Sequence, residues 1–147
     1  AIEMFLLIQD NSAEDSLRLA LQAYATADLK LYQNKKEEAL QLFLAILQKH
    51  KGESIEEGTL FKVGKIYEEK GDFNKALTYY QNILDNHKDG IYKDEALYFS
   101  AEIYRKHLLD NEKAKALYEK VVLEHPDSLY YTESRKQYRT LRGDSTI

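Results

Sequence analysis

The sequence has no cysteine and no tryptophan, and only one proline and six glycines in 147 residues. The lack of cysteine excludes disulfides, thiolate catalysis and cysteine-ligated zinc. Proline and glycine most often interrupt regular elements, so their scarcity beside abundant alanine, leucine, glutamate and lysine predicts an all-helical chain. No apolar run approaches the length of a membrane span.

Neither sign of charge predominates, because 21 basic residues are nearly balanced by 25 acidic ones and the net charge is only −4. The chain therefore lacks the basic field expected of a nucleic-acid-binding protein and any polyanionic character. Its content of 44% hydrophobic and 31% charged residues is normal for a folded globular domain and too apolar for disorder. We expect no nucleic-acid partner and no membrane span.

A period of 37 or 38 residues is the strongest pattern in the chain. Three alanines, Ala39, Ala76 and Ala114, lie 37 and 38 residues apart in similar segments. Each alanine is followed four positions later by an aromatic residue and seven positions later by an aliphatic one: Phe43, Tyr80 and Tyr118, then Ile46, Ile83 and Val121. Periods of 20 to 50 residues are typical of solenoids, so the pattern predicts stacked helical units.

Residues 60–83 show one unit most clearly. Leu60 and Val63 begin an amphipathic helix, which "KGD" interrupts before a second helix with its own apolar face. Gly71 is expected to end the first helix in a left-handed conformation, and Asp72 to cap the second. Two helices joined by so short a turn pack antiparallel.

This unit resembles the tetratricopeptide repeat. The residues that match the family's consensus are Leu60, Val63, Gly64, Tyr67, Gly71, Phe73, Ala76 and Tyr80, and Pro126 matches the proline after its second helix. The resemblance implies an all-α, right-handed alpha-alpha superhelix of helical hairpins. The sequence departs from the family pattern in two ways. Its loops between repeats are longer than in the family's 34-residue repeat and resemble those of bacterial cell-envelope repeat proteins, and there is one extra residue between Tyr104 and Ala114.

The period predicts a single solenoid domain over 1–147. Its parts are a half-repeat at 1–11, repeats at 12–50, 51–88 and 89–126, and a capping helix and tail at 127–147. Helices are predicted at about 1–9, 14–33, 36–50, 55–70, 73–87, 92–107, 111–125 and 129–142, with capping boxes at 34–37 and 54–57. The apolar start without methionine predicts a piece of a longer protein, and the charged last helix followed by "GDSTI" predicts that the piece is its C-terminal end. The long loops resemble those of bacterial repeat proteins, while the compartment, periplasm or cell envelope against cytoplasm, stays open.

Three of the four histidines recur with the same period. His50, His87 and His125 each lie eleven residues after the alanine of their copy, at the predicted ends of second helices. There a donor side chain meets free carbonyl groups and the negative end of the helix dipole. Equivalent positions on stacked helices run parallel about 8–10 Å apart, whereas metal ligands converge. We interpret these histidines, and His107 at the end of a first helix, as caps and expect no metal site.

Aromatic residues also recur on the first helices, where Tyr24, Phe61 and Tyr98 lie 37 apart. First helices line the concave groove in tetratricopeptide repeat proteins, so the resemblance implies that this column faces the groove. The alternative is that the column packs between repeats. The predicted groove residues are Tyr24, Asp28, Leu31, Tyr32, Phe61, Lys65, Glu68, Glu69, Tyr98, Glu102, Arg105 and Lys106.

The leading functional hypothesis is a non-catalytic protein–protein interaction or assembly scaffold that binds a peptide or a partner helix in the groove. The alternatives are a purely structural repeat array and a regulatory domain of a larger protein. The carboxylates are spread among lysines and there is no glycine-rich phosphate loop, so we expect neither enzymatic activity nor a cofactor.

Two segments bear on other partners. The last helix, 129–142, interleaves Arg135, Lys136 and Arg139 with tyrosines, as single-strand nucleic-acid binders do. The acidic balance of the whole chain instead favours a solvated cap of the array. The segment "IEMFLLI" at 2–8 has six apolar residues of seven, and we predict that it is buried in a homodimer or in a crystal contact.

Overall fold

A computed structural model describes the backbone of residues 2–144 and the side chains of residues 14–144. Residues 2–144 form seven α-helices and contain no strand, which confirms the all-α prediction. The helices are α1 (Ile2–Tyr32), α2 (Lys36–Lys49), α3 (Glu56–Glu69), α4 (Phe73–Asn86), α5 (Lys93–Lys106), α6 (Asn111–Glu124) and α7 (Tyr131–Arg142).

The N-terminal helix differs from the prediction. The sequence predicts one helix at about 1–9 and a second from 14, but α1 is continuous from Ile2 to Tyr32. The segment "DNSAED" at 10–15 contains no glycine or proline, so nothing in it forces a helix to end. The apolar side chains of 2–8, predicted to form a dimer interface, lie outside the described side chains.

Both predicted capping boxes are wrong by one position. Asn34 has a φ of 64° and belongs to the turn before α2, whose N-cap is Lys35 without a side-chain hydrogen bond. Asparagine tolerates this left-handed conformation, so the turn takes the residue that would otherwise cap the helix. The third helix begins at Glu56, whose carboxylate accepts a hydrogen bond from the backbone N–H of Gly52 at 2.9 Å.

The turn between α3 and α4 confirms the roles predicted for Gly71 and Asp72. Gly71 has a φ of 82°, which favours glycine, and the backbone N–H of Asp72 donates to the carbonyl of Tyr67 at 2.9 Å. The Asp72 carboxylate accepts from the backbone N–H of Lys75, as an N-cap does. The chain therefore reverses within three residues.

The turn between α5 and α6 contains the predicted extra residue. The backbone N–H of Asp110 donates to the carbonyl of Tyr104, six residues back, where its counterpart Asp72 reaches five residues back. The left-handed position is occupied by Leu109, with a φ of 54°. This non-glycine residue adopts a conformation that is unfavourable for a branched apolar side chain.

Contacts divide the chain into two compact units, Ala1–Ile66 and Tyr67–Ile147. In the first unit, α1 packs along α2, and Ala20, Ala27 and Phe43 are fully buried. In the second unit, α5 packs against α4 and α6, and α6 packs against α7. Each unit thus has its own apolar core.

The sequence period is also a period of burial. The three alanines Ala39, Ala76 and Ala114 are each 0% exposed. Their small side chains let neighbouring helices approach closely, and the close approach excludes solvent from these positions. The positions that follow them are equally buried: Phe43, Tyr80 and Tyr118, then Ile46, Ile83 and Val121. The columns found in the sequence are therefore the core positions of the second helices.

Candidate protein-interaction surface

The four histidines end helices, as predicted. His50, His87 and His125 are the C-cap residues of α2, α4 and α6, and each donates its backbone N–H to a carbonyl four residues earlier. His107 caps α5 in the same manner. These capping bonds are made by the backbone. The side chain of His50 contacts a carboxylate and not the helix carbonyls predicted from the sequence: its Nδ1 lies 2.8 Å from a carboxylate oxygen of Glu53. Among side chains 14–144, no three histidine or carboxylate groups come together as metal ligands would.

In the first unit, the predicted groove residues have different surroundings. Tyr24 is half-buried, and its ring meets the ring of Phe43 edge-on with centroids 5.4 Å apart. Tyr32 is 89% exposed at the end of α1. Asp28 pairs with Lys62 at 3.0 Å. Three further predicted residues are half-buried: Leu31, Phe61 and Lys65.

In the second unit, four of the predicted residues line one cleft. Glu68 at the end of α3, and Tyr98, Glu102 and Lys106 on α5, enclose about 170 Å³. We call this space the α5 cleft. Its other lining residues are Phe99, Ile103 and His107. Glu69, also predicted, is exposed.

Glu102 is the most constrained of these residues. It is only 7% exposed, yet its carboxylate is fully supplied with donors. The guanidinium of Arg105 reaches both carboxylate oxygens at 3.1 Å, and the Lys106 ammonium lies 2.7 Å from one of them. The Tyr118 hydroxyl, itself 3.0 Å from Arg105 Nε, donates to the other oxygen. A buried charge is tolerated when it is paired in this way.

Opposing effects act on the pKa of Glu102. Burial raises the pKa, but the hydrogen bonds donated by Lys106, Tyr118 and Arg105 outweigh burial and hold it below the ordinary value of 4.5. The carboxylate is therefore ionised at neutral pH. Burial and the neighbouring Glu102 in turn raise the pKa of the Tyr118 hydroxyl, which stays a proton donor.

A similar contact joins α3 to α4. The hydroxyl of Tyr80, a fully buried residue, donates to a carboxylate oxygen of Glu68 at 2.8 Å. Burial and the Glu68 charge raise the pKa of Tyr80 far above its ordinary range. Glu68 and Arg105 are 37 residues apart, so the repeat places a hydrogen-bonding residue at the same position of α3 and α5, opposite the tyrosine of the helix that follows.

Tyr98 is packed as well as partly exposed. Its ring stacks on the ring of Tyr130 with centroids 4.5 Å apart and meets Phe99 and Tyr118 edge-on. Burial, followed by the charges of Glu102 and Glu133, raises the pKa of Tyr98 to about 12. The side chain therefore serves inter-helix packing and lines the cleft at once.

Two aromatic members of the cleft were not among the predicted site residues. Phe99 lies next to Tyr98 in the sequence, and its ring is 6.4 Å from that of Tyr80. His107, interpreted from the sequence only as a cap, stacks on Phe73 with ring centroids 3.9 Å apart. Phe99 could have been predicted, because it directly follows Tyr98 on a helix rich in aromatic residues. The contact of His107 could not, because its partner Phe73 is 34 residues away in the sequence.

Comparisons with known proteins identify the repeat. Residues 59–90 and 95–128 match the tetratricopeptide repeat family. No curated protein matches the chain in sequence. Among solved structures, a tetratricopeptide repeat protein from Parabacteroides merdae ATCC 43184 is similar, with 22% identity and a TM-score of 0.68. The match covers 84% of this chain and 46% of that protein, so the chain spans about half of its length. This likeness is one of fold.

Within the described residues, no helix is long and apolar enough to cross a membrane. The longest helix, α1, carries several charged residues between Glu14 and Lys30.

The longer loops also contribute to packing. The connection between α6 and α7 contacts α5 through Ser128, whose hydroxyl donates to the Asp94 carboxylate at 2.6 Å.

Proposed function

Because this chain belongs to the tetratricopeptide repeat family, whose repeats generally mediate protein–protein interaction or assembly, we propose that it is a non-catalytic scaffold that binds a peptide or a partner helix. The proposal assigns the binding to first-helix side chains within each compact unit. It includes no nucleic-acid partner and no cofactor. A homodimer through residues 2–8 remains a separate prediction.

The α5 cleft is the observation that carries this proposal. It combines half-buried aromatic rings, those of Tyr98 and Phe99, with the charged Glu102 and Lys106 at one concave site. Aromatic residues surrounded by polar groups are typical of surfaces that bind a peptide side chain. In the first unit, the exposed Tyr32 and the half-buried Leu31 and Phe61 offer further apolar contact area.

The chemistry of the cleft supports binding in preference to catalysis. A general acid or base works best with a pKa near the operating pH, whereas the pKa of Glu102 is shifted downwards and its oxygens are occupied by Arg105, Lys106 and Tyr118. An ionised, fully bonded carboxylate holds neighbouring side chains in place. Proteins with this repeat are typically non-catalytic, and the proposal extends that property to this chain.

The second candidate function is a purely structural array, and the stacking of Tyr98 on Tyr130 favours it. If that contact is the whole role of the aromatic column, the column stabilises the repeats and contacts no partner. The two candidates predict different behaviour for residues that line the cleft without belonging to the core.

Lys106 provides this distinction because its side chain is 52% exposed and lines the cleft. The Lys106→Ala protein and the wild type are used to capture partners from the source organism, with Lys113→Ala as control. Lys113 is a matched lysine, 64% exposed and outside the cleft lining. Binding at the cleft predicts that Lys106→Ala loses a captured protein that Lys113→Ala retains. Because Lys106→Ala also removes one donor from Glu102, capture is compared at a temperature at which circular dichroism shows all three proteins to be folded. Identical capture by all three proteins contradicts it.

A further inference from the structure

A second concave surface lies along α4 in the unit Tyr67–Ile147 and is lined by α4, α5 and α6. Two adjoining cavities of about 540 Å³ and 240 Å³ share the lining residues Gln81, Asp85 and Leu117. They therefore form one continuous groove, which we call the α4 groove. No residue lines both this groove and the α5 cleft.

One wall of the α4 groove is a row of neutral polar side chains. Thr78, Asn82 and Asn86 follow each other at four-residue intervals along α4, and all three are exposed. Four residues of α-helix advance about 6 Å, and two residues of an extended peptide advance about 6.6 Å. A peptide lying along α4 would therefore bring every second residue opposite one of these side chains.

The amide groups in this wall are held in fixed orientations. Asn86 Nδ2 donates to Asn82 Oδ1 at 2.7 Å, and Gln81 Nε2 donates to Asp85 Oδ1 at 2.9 Å. These bonds leave the Asn82 amide N–H groups as donors and the carbonyl oxygens of Asn86 and Gln81 as acceptors. Donors and acceptors in alternation are the complement of a peptide backbone.

The floor and one end of the groove add side-chain preferences. Leu77, Leu117 and Tyr104 form a half-buried, largely apolar floor, which suits an apolar side chain on the inner face of an extended peptide. The second cavity is lined by the exposed Lys88, which follows α4, and by the exposed Lys120 of α6. Of its other charged residues, Lys93 pairs with Glu124 at 2.9 Å, and Asp85 accepts from Gln81. The two ammonium groups outnumber the one remaining carboxylate, so the end of the groove complements an acidic side chain.

We propose that the α4 groove binds an extended, mostly uncharged peptide that places an apolar residue over Leu77 and Leu117 and an acidic residue between Lys88 and Lys120. The peptide's backbone bonds to the amide groups of Gln81, Asn82 and Asn86. The α4 groove is lined by α4, α5 and α6 and shares no lining residue with the α5 cleft.

The test uses random nonapeptides displayed on phage and selected against the full chain. The expected result is enrichment of peptides with an apolar residue followed by an acidic one, and binding about tenfold weaker to the Asn82→Ala/Asn86→Ala double variant. The matched control is Asn74→Ala, an exposed asparagine of α4 outside the groove lining, which should bind as the wild type does. Lys106→Ala should also leave this binding unchanged, which separates failure here from failure of the α5 cleft.

A charge exchange strengthens the test. Lys120→Glu should weaken a selected acidic peptide and strengthen the same peptide in which lysine replaces the acidic residue. The proposal is overturned if no peptide is enriched, or if the enriched peptides bind the double variant and the wild type equally. It is also overturned if maltoheptaose, a neutral oligosaccharide, shifts the side-chain amide NMR signals of Asn82 and Asn86 while no selected peptide does.

Discussion

The tyrosines of the second helices show how one residue can serve both the core and the surface. The rings of Tyr80 and Tyr118 are 0% exposed, while their hydroxyls donate to carboxylates of the preceding first helix. A buried hydroxyl needs a partner, and the first helix supplies one from the side that also lines the α5 cleft. In the first repeat, the same two positions are Phe43 and Leu31, which need no hydrogen bond.

Tyr118→Phe is expected to lower the free energy of unfolding by about 1–3 kcal/mol, because the buried Glu102 carboxylate loses a donor while keeping its charge. Chemical denaturation measures the difference. Tyr32→Phe, at a position 89% exposed, is the control and should change stability by less than about 0.5 kcal/mol. Equal stability of Tyr118→Phe and the wild type would show that the hydroxyl contributes nothing to holding Glu102.

The raised tyrosine pKa values predict a loss of stability at alkaline pH. The pKa of Tyr98 is about 12 in the folded protein, against 10.0 ordinarily, so the unfolded state ionises first as the pH rises. The stabilisation is present in full below pH 10 and is lost as the pH rises from 10 through about 12. Melting temperatures across this range should fall, and fall less steeply in Tyr98→Phe. Parallel curves for the two proteins would contradict the assignment.

At the scale of the single element, the helices are closely alike, since α2 to α6 each contain 14 residues. Their ends show what the sequence can and cannot predict. Gly71 and Asp72 carry their own local signal, and the structure confirms both. Asn34 was misplaced because asparagine suits both an N-cap and a left-handed turn, and only the packing of α1 on α2 decides between them.

Leu109 is the residue at which the turn before α6 can be improved. Its φ of 54° costs a leucine about 1 kcal/mol, and its side chain is 78% exposed, so Leu109→Gly should raise the free energy of unfolding by a few tenths to about 1 kcal/mol. The control, Leu123→Gly, is at a similarly exposed position, 71%, but lies in the last turn of α6, where glycine relieves no strain and should cost up to about 1 kcal/mol. Denaturation that shows both variants destabilised to the same extent would contradict the strain at Leu109.

At the scale of the whole molecule, a single period determines the core of each unit. The core positions of the second helices were predictable because an alanine, an aromatic and an aliphatic residue recur there at a fixed spacing. All of these residues are buried in the structure. The α4 groove was not predictable in this way, since Thr78, Asn82 and Asn86 have no common counterpart in the other copies. The α5 cleft was partly predictable: Glu68, Tyr98, Glu102 and Lys106 followed from the family resemblance, whereas Phe99 and His107 depend on packing.

The alanine column gives a matched pair of variants on one helix. Ala114 is 0% exposed where α6 packs, and Ala116, two residues later, is exposed. Ala114→Leu should lower the free energy of unfolding by about 1–3 kcal/mol through overpacking, and Ala116→Leu should leave it nearly unchanged. Thermal or chemical unfolding of the two proteins checks the prediction. Similar tolerance of leucine at both positions would mean that the column does not set the distance between helices.

Binding of a protein partner at the α5 cleft is the central claim, and site-specific photo-crosslinking in cells of the source organism tests it most directly. A photo-reactive amino acid replaces Lys106, which lines the cleft, or Lys113, which does not. The proposed function predicts a discrete cross-linked protein from position 106 and none of the same mass from position 113. The absence of any adduct at position 106, or the same adducts from both positions, would contradict it.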